Sequence, residues 1–205
     1  MRARVLLSIA GAAVLGGSML TGCGPSEPKR ILTEPPAPAQ TGAALPFTPV
    51  EQPIDLTKFD SDPCALLTKE QVAAVVQDPP DDVRPARSGT TVSAGCAWNT
   101  WYSPLVSALK PLEEPKTLDE LKNTSRRRSG AMDPWTETSV SGLPAVVFHE
   151  ARGPEECDVA VGVTDTDMLI FSYHGSGTHS TYWETDRCGG VLKTAEYVLG
   201  NLRKG

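Results

Sequence analysis

Apolar residues along this chain fall into three regimes, and each regime predicts a different kind of segment. From position 5 to 19 they form a run rich in Ala, Gly, Val and Leu, interrupted only by Ser8 and Ser18, behind Arg2 and Arg4. The run is too short for a membrane span, which needs about 20 apolar residues, and it matches the hydrophobic core of a secretory signal. From 24 to 53 the apolar pattern dissolves into prolines set among Ala, Thr, Glu and Gln, which predicts an extended, disordered stalk. From about 55 to 205 periodicity returns. Thr68-Lys69-Glu70-Gln71 reads as a capping box with Val72, Val75 and Val76 on one helical face. Thr117-Leu118-Asp119-Glu120 reads as a second, and Asp62-Pro63 offers an N-cap with proline at the first helical position. Val191, Leu192, Ala195, Val198, Leu199 and Leu202 recur at helical spacing in a final helix that starts close to Cys188.

Between these helices the period falls towards two. Residues 93–101 and 105–109 predict a strand pair across Tyr102-Ser103-Pro104, and 143–151 predicts a third strand. The clearest hairpin joins 158–163 to 168–174 through Thr164-Asp165-Thr166-Asp167. Antiparallel hairpins flanked by helices predict one α+β domain, an antiparallel sheet packed against N- and C-terminal helices. The organisation expected is 1–22 signal peptide, 23–54 stalk and 55–205 domain.

Cysteines change the picture. Leu20-Thr21-Gly22-Cys23 directly follows the apolar run and resembles the lipobox of bacterial lipoproteins. That resemblance implies cleavage before Cys23, a diacylglycerol on its thiol, and anchoring on the extracytoplasmic face of the cell membrane. Four of the five cysteines then remain: Cys64, Cys96, Cys157 and Cys188. An even set in an exported domain predicts two disulfides. A zinc site is the competing use, but there is no CxxC pair, and no histidine falls at ligand spacing from these cysteines along the chain. Cys64 and Cys188 each open an expected helix, while Cys96 and Cys157 lie on or beside expected strands. Matching like with like gives Cys64–Cys188 and Cys96–Cys157.

Asp62-Pro63-Cys64-Ala65-Leu66-Leu67-Thr68, Cys96-Ala97-Trp98, Gly142-Leu143-Pro144-Ala145, Cys157 before an alternating strand and Cys188 at the last helix occur in that order. With the lipobox, they resemble a family of uncharacterised actinobacterial lipoproteins known as a domain of unknown function. The resemblance implies fold unity and location, and brings no catalytic residues with it.

Charge narrows the partners. Cleavage would remove two of 19 basic residues and none of 25 acidic ones, leaving a mature net charge of −8. Nucleic acid is therefore not an expected partner, and Arg126-Arg127-Arg128 reads as a solvated helix end. Chemistry is sparse. Around Tyr173-His174-Gly175-Ser176-Gly177-Thr178-His179-Ser180, a hydrolase would use Ser176 or Ser180 as nucleophile, His174 or His179 as base, and Asp186 or Asp158 to orient it. The GxSxG elbow is missing, however. A metal on His174, His179 and Asp186 matches no ligand pattern, and Asp165-Thr166-Asp167 lacks the further acids of a calcium loop. Trp98 is expected in the core beside Cys96, while Trp101 and Trp183 are candidates for lining a ligand groove. No catalytic residue, metal or cofactor is assigned. The sequence favours a binding or accessory module for a protein partner, wall polymer or small ligand, with a hydrolase or an envelope-maintenance role as alternatives.

Overall fold

The computed structural model describes residues 46–76, 79–99, 105–127, 135–149, 157–174 and 188–205. Seven strands form one fully antiparallel sheet in the order β1-β2-β3-β7-β6-β5-β4. They are β1 (Arg84–Gly89), β2 (Ser93–Asn99), β3 (Leu105–Pro111), β4 (Thr136–Val140), β5 (Leu143–Phe148), β6 (Cys157–Gly162) and β7 (Met168–His174). The sheet is thus two meanders, β1–β3 and β4–β7, joined where β3 pairs with β7 and Val106 lies opposite Tyr173. The α-helices among the described residues are α1 (Thr57–Ser61), α2 (Lys69–Val76), α3 (Leu118–Arg127) and α4 (Gly189–Arg203). The α+β class and the antiparallel sheet packed against N- and C-terminal helices are as the sequence predicts.

Strand alternation divides the side chains between two faces. Val159 and Val161 of β6, with Leu169, Phe171 and Tyr173 of β7, enter the main core. There they meet Phe59 of α1, Val72, Val75 and Val76 of α2, and Val191, Ala195, Val198, Leu199 and Leu202 of α4. Each such side chain contributes roughly 1.5–3 kcal/mol relative to exposure, so α4 is held by its apolar stripe. Trp98 lies in this core, 1% exposed, near Cys96. Residues of the opposite phase, Val146, Phe148, Ala160 and Met168, pack on the other face against Leu118 and Leu121 of α3.

Both capping boxes form. The Gln71 amide N–H donates to Thr68 Oγ1 at 3.2 Å, and the Thr68 amide N–H donates back to Gln71 Oε1 at 3.0 Å. At α3 the Glu120 amide N–H donates to Thr117 Oγ1 at 3.3 Å, and Glu120 Oε2 accepts from the amides of Thr117 and Lys116 at 3.2 and 2.7 Å. The first N-cap signal resolves differently. Asp62 precedes a four-residue 3₁₀ turn (Pro63–Leu66) and its side chain caps nothing. The α-helix instead starts six positions later, where the capping box supplies both missing partners.

The β6–β7 hairpin closes where expected. Thr164 Oγ1 accepts the Asp167 amide N–H at 2.9 Å and donates to Asp167 Oδ2 at 3.1 Å. Residues 46–54, assigned by composition to the stalk, lie against the domain. The Phe47 amide donates to Asp119 Oδ1 at 3.1 Å, that of Val50 to Asp165 Oδ1 at 3.1 Å, and that of Ile54 to the Val163 carbonyl at 2.8 Å. Ile54 is 5% exposed. Proline frequency hides this docking because it signals backbone stiffness, whereas the docking depends on Phe47, Val50 and Ile54 between the prolines.

Candidate functional site

Pairing of the four domain cysteines corrects the sequence expectation. The bridges are Cys64–Cys96 and Cys157–Cys188, with Cα–Cα distances of 5.1 and 5.5 Å. They are not Cys64–Cys188 and Cys96–Cys157. Sheet order supplies the reason: Cys96 on β2 and Cys157 on β6 have β3 and β7 between them. Three strand spacings amount to about 14 Å, twice the separation a disulfide can close. Each bridge instead fastens the helical layer to the strand beneath it, the 3₁₀ turn to β2 and the start of α4 to β6.

A histidine stands beside the second bridge. His149 follows β5 directly, because that strand ends at Phe148 and Phe148 pairs with Asp158 next to Cys157. Its Nε2 lies 3.7 Å from Cys188 Sγ. The ring nitrogen and the two sulfurs all lie within 4.8 Å of one another. Thiolates bind metals and bridged sulfurs do not, so in this oxidised form the trio is not a metal centre. Spacing along the chain misses the juxtaposition entirely: His149 and Cys188 are 39 positions apart and meet only because α4 starts over the β5–β6 corner. No local signal announces it.

A polar row crosses the other face of the sheet. Ser107 of β3 lies opposite Ser172 of β7, which lies opposite Asp158 of β6. The three are 3%, 5% and 4% exposed, and Asp158 has an interaction partner. Asp158, an orienting acid in the hydrolase reading, is therefore fixed inside the sheet layer. Cys23, Ser176, His179, Ser180, Asp186, Trp101 and Trp183 lie outside the described residues, as does the His174 side chain, although the His174 backbone ends β7 opposite Leu105. The grouping named for hydrolysis thus falls, apart from Asp158 and the His174 backbone, outside the described residues.

One of several open clefts lies where the 46–51 segment crosses the domain. This cleft of about 430 Å³ runs between Pro46, Phe47, Glu51, Glu137, Ser139 and Leu143. Lys122 contacts two of these lining residues, with Nζ 5.0 Å over the Phe47 ring and 2.5 Å from Glu137 Oε1. Elsewhere, the side-chain hydroxyl and then the backbone amide of Thr57 hold the Asp55 carboxyl below its usual range. Glu70 is lowered chiefly by its own backbone N–H and then by the Thr68 hydroxyl. Both effects belong to helix starts and not to a reactive centre. Among the described residues no helix is long and apolar enough to cross a membrane.

Fold and site together define a class: an antiparallel α+β domain whose helical layer is stapled to its sheet by two disulfides. Residues 18–201 match the model of a family described as "Protein of unknown function (DUF3558)". The chain belongs to that family. Comparisons with curated proteins and with solved structures returned no match.

Proposed function

We propose that this chain is a lipoprotein anchored through Cys23 on the extracytoplasmic face of the cell membrane, where its domain acts as a binding or accessory module. The observation that carries the address is cysteine parity. Both disulfides together use Cys64, Cys96, Cys157 and Cys188, and the fifth cysteine is the one that follows Leu20-Thr21-Gly22. Disulfides persist in oxidising compartments, so the even set supports export, and the odd thiol supports lipidation. The binding role draws support from the cleft between the 46–51 segment and the β4–β5 turn. Its volume falls within the range of small-ligand sites, about 300–1,000 Å³, and its lining mixes carboxylates and hydroxyls with Phe47 and Leu143. An envelope protein, a wall polymer or a small ligand would each find both polar and apolar contacts there.

Intact-mass analysis of the membrane-extracted protein tests the anchor. The expected result is an N-terminus at Cys23 carrying a diacylglycerol increment. Cys23→Ala is expected to move the protein out of the membrane fraction without changing its thermal unfolding. An unlipidated mature chain, or a Cys23→Ala protein still bound to membranes, would sink the reading. Photo-crosslinking from Glu51 and Ser139 in intact cells then identifies what occupies the cleft.

A further inference from the structure

The two bridges sit in opposite electrostatic settings. Cys188 is the N-cap of α4, a 15-residue helix, so its sulfur lies at the positive end of aligned peptide dipoles. His149 Nε2 is 3.7 Å from the same sulfur. A helix N-terminus and a neighbouring imidazole both favour thiolate over thiol. The other bridge has the reverse arrangement. Cys96 Sγ lies 3.2 Å from the Ala86 carbonyl oxygen and 3.6 Å from that of Ala97. A bridged sulfur has no hydrogen to donate, so these are contacts with the negative ends of two dipoles, and they disfavour a thiolate. Its partner Cys64 lies within the four-residue 3₁₀ turn, too short to build a comparable dipole.

We infer that Cys157–Cys188 is an exchangeable disulfide that reacts with an external dithiol, while Cys64–Cys96 is a permanent staple. Cys188 is half-buried and Cys157 fully buried, which makes Cys188 the sulfur that is attacked. One thiolate of the dithiol bonds to Cys188 Sγ. The Cys157–Cys188 bond breaks, and Cys157 departs with the electron pair and takes up a proton. The dithiol's second thiolate then attacks its own sulfur in the mixed disulfide and expels Cys188 as a thiolate beside His149. Two electrons pass to the bridge and the dithiol becomes a disulfide. The stabilised Cys188 thiolate speeds the second step, in which it is the leaving group, and a stabilised reduced form makes the pair easier to reduce. Run backwards, the reduced pair oxidises a partner dithiol or reshuffles a partner disulfide. The inference goes beyond the binding role and does not depend on the anchor at Cys23.

The test equilibrates the full chain in graded dithiothreitol buffers, alkylates the free thiols and locates the tags by peptide mass. Cys157 and Cys188 are expected to open at a reductant-to-oxidant ratio about tenfold or more below that for Cys64 and Cys96, with near-UV circular dichroism retained. His149→Ala is expected to move the first midpoint severalfold towards a higher reductant-to-oxidant ratio and to leave the second in place. His149→Gln, which keeps a hydrogen-bonding side chain without the imidazole, should shift it in the same direction. Bridges that open together or in reverse order overturn the inference. So does a first midpoint that both substitutions leave unmoved, or a loss of tertiary signal at that midpoint.

Discussion

At the scale of single residues, two strand glycines meet very different surroundings. A Cβ on Gly95 of β2 would lie 2.0 Å from the Ala108 carbonyl oxygen on the neighbouring strand. Backbone cannot yield there without breaking the β2–β3 ladder. A Cβ on Gly162 of β6 would meet Leu118 Cδ1 at 3.3 Å, the far end of a side chain that can turn aside. Gly95→Ala is therefore expected to lose about 3 kcal/mol or more, and Gly162→Ala less than about 1 kcal/mol. Urea unfolding of the two variants checks the contrast, and equal losses would contradict it. Trp98 adds a second case. Its ring fills the core as the sequence suggested, yet its Nε1 is buried without a hydrogen-bond partner among the described residues. Such a group carries a desolvation cost of about 1–3 kcal/mol, which the packing of the ring must exceed.

At the scale of elements, what was legible in the sequence was what is local. A capping box spans four residues and needs nothing else, so Thr68–Gln71 and Thr117–Glu120 could be read without the fold. The β6–β7 hairpin was equally plain, because its turn chemistry lies between two apolar runs. The edge strands were not legible. β1 reads Arg-Pro-Ala-Arg-Ser-Gly and β4 reads Thr-Glu-Thr-Ser-Val. Nearly every position in both is exposed, so neither shows the alternation that marks a half-buried strand. Polar residues and a proline on outer strands also discourage edge-to-edge pairing between molecules. One contact joins the legible to the hidden. Gln71 Oε1, already bound to the Thr68 amide, also accepts from Asn201 Nδ2 of α4 at 2.9 Å, and the same amide group donates to the Leu66 carbonyl at 2.7 Å. Asn201→Ala is expected to cost about 1–2 kcal/mol. A double-mutant cycle with Gln71→Ala should show coupling of about 0.5 kcal/mol or more. Additive losses would mean that the cap of α2 and the C-terminal helix are stabilised independently.

At the scale of the whole molecule, the bridges follow the layering of the fold. Matching helix start with helix start and strand with strand misplaced all four cysteines, because secondary-structure type says nothing about which layer faces which. A helix lying on a sheet puts its own start over a strand, and the observed bridges span only 32 and 31 positions. In the chain-entropy account, a loop of that length gives roughly 3–4 kcal/mol per bridge before any strain. The short span also makes the connectivity easy to test. Tryptic cleavage places Cys64 in 59–69, Cys96 in 88–116, Cys157 in 153–187 and Cys188 in 188–193. Without reductant, 59–69 is expected to travel with 88–116, and the adjacent peptides 153–187 and 188–193 with each other. Under the pairing first expected, 188–193 would instead carry 59–69. Finding 88–116 joined to 153–187 would mean that β2 and β6 approach closely enough to be joined, which this strand order forbids. The test therefore examines sheet topology as much as cysteine chemistry.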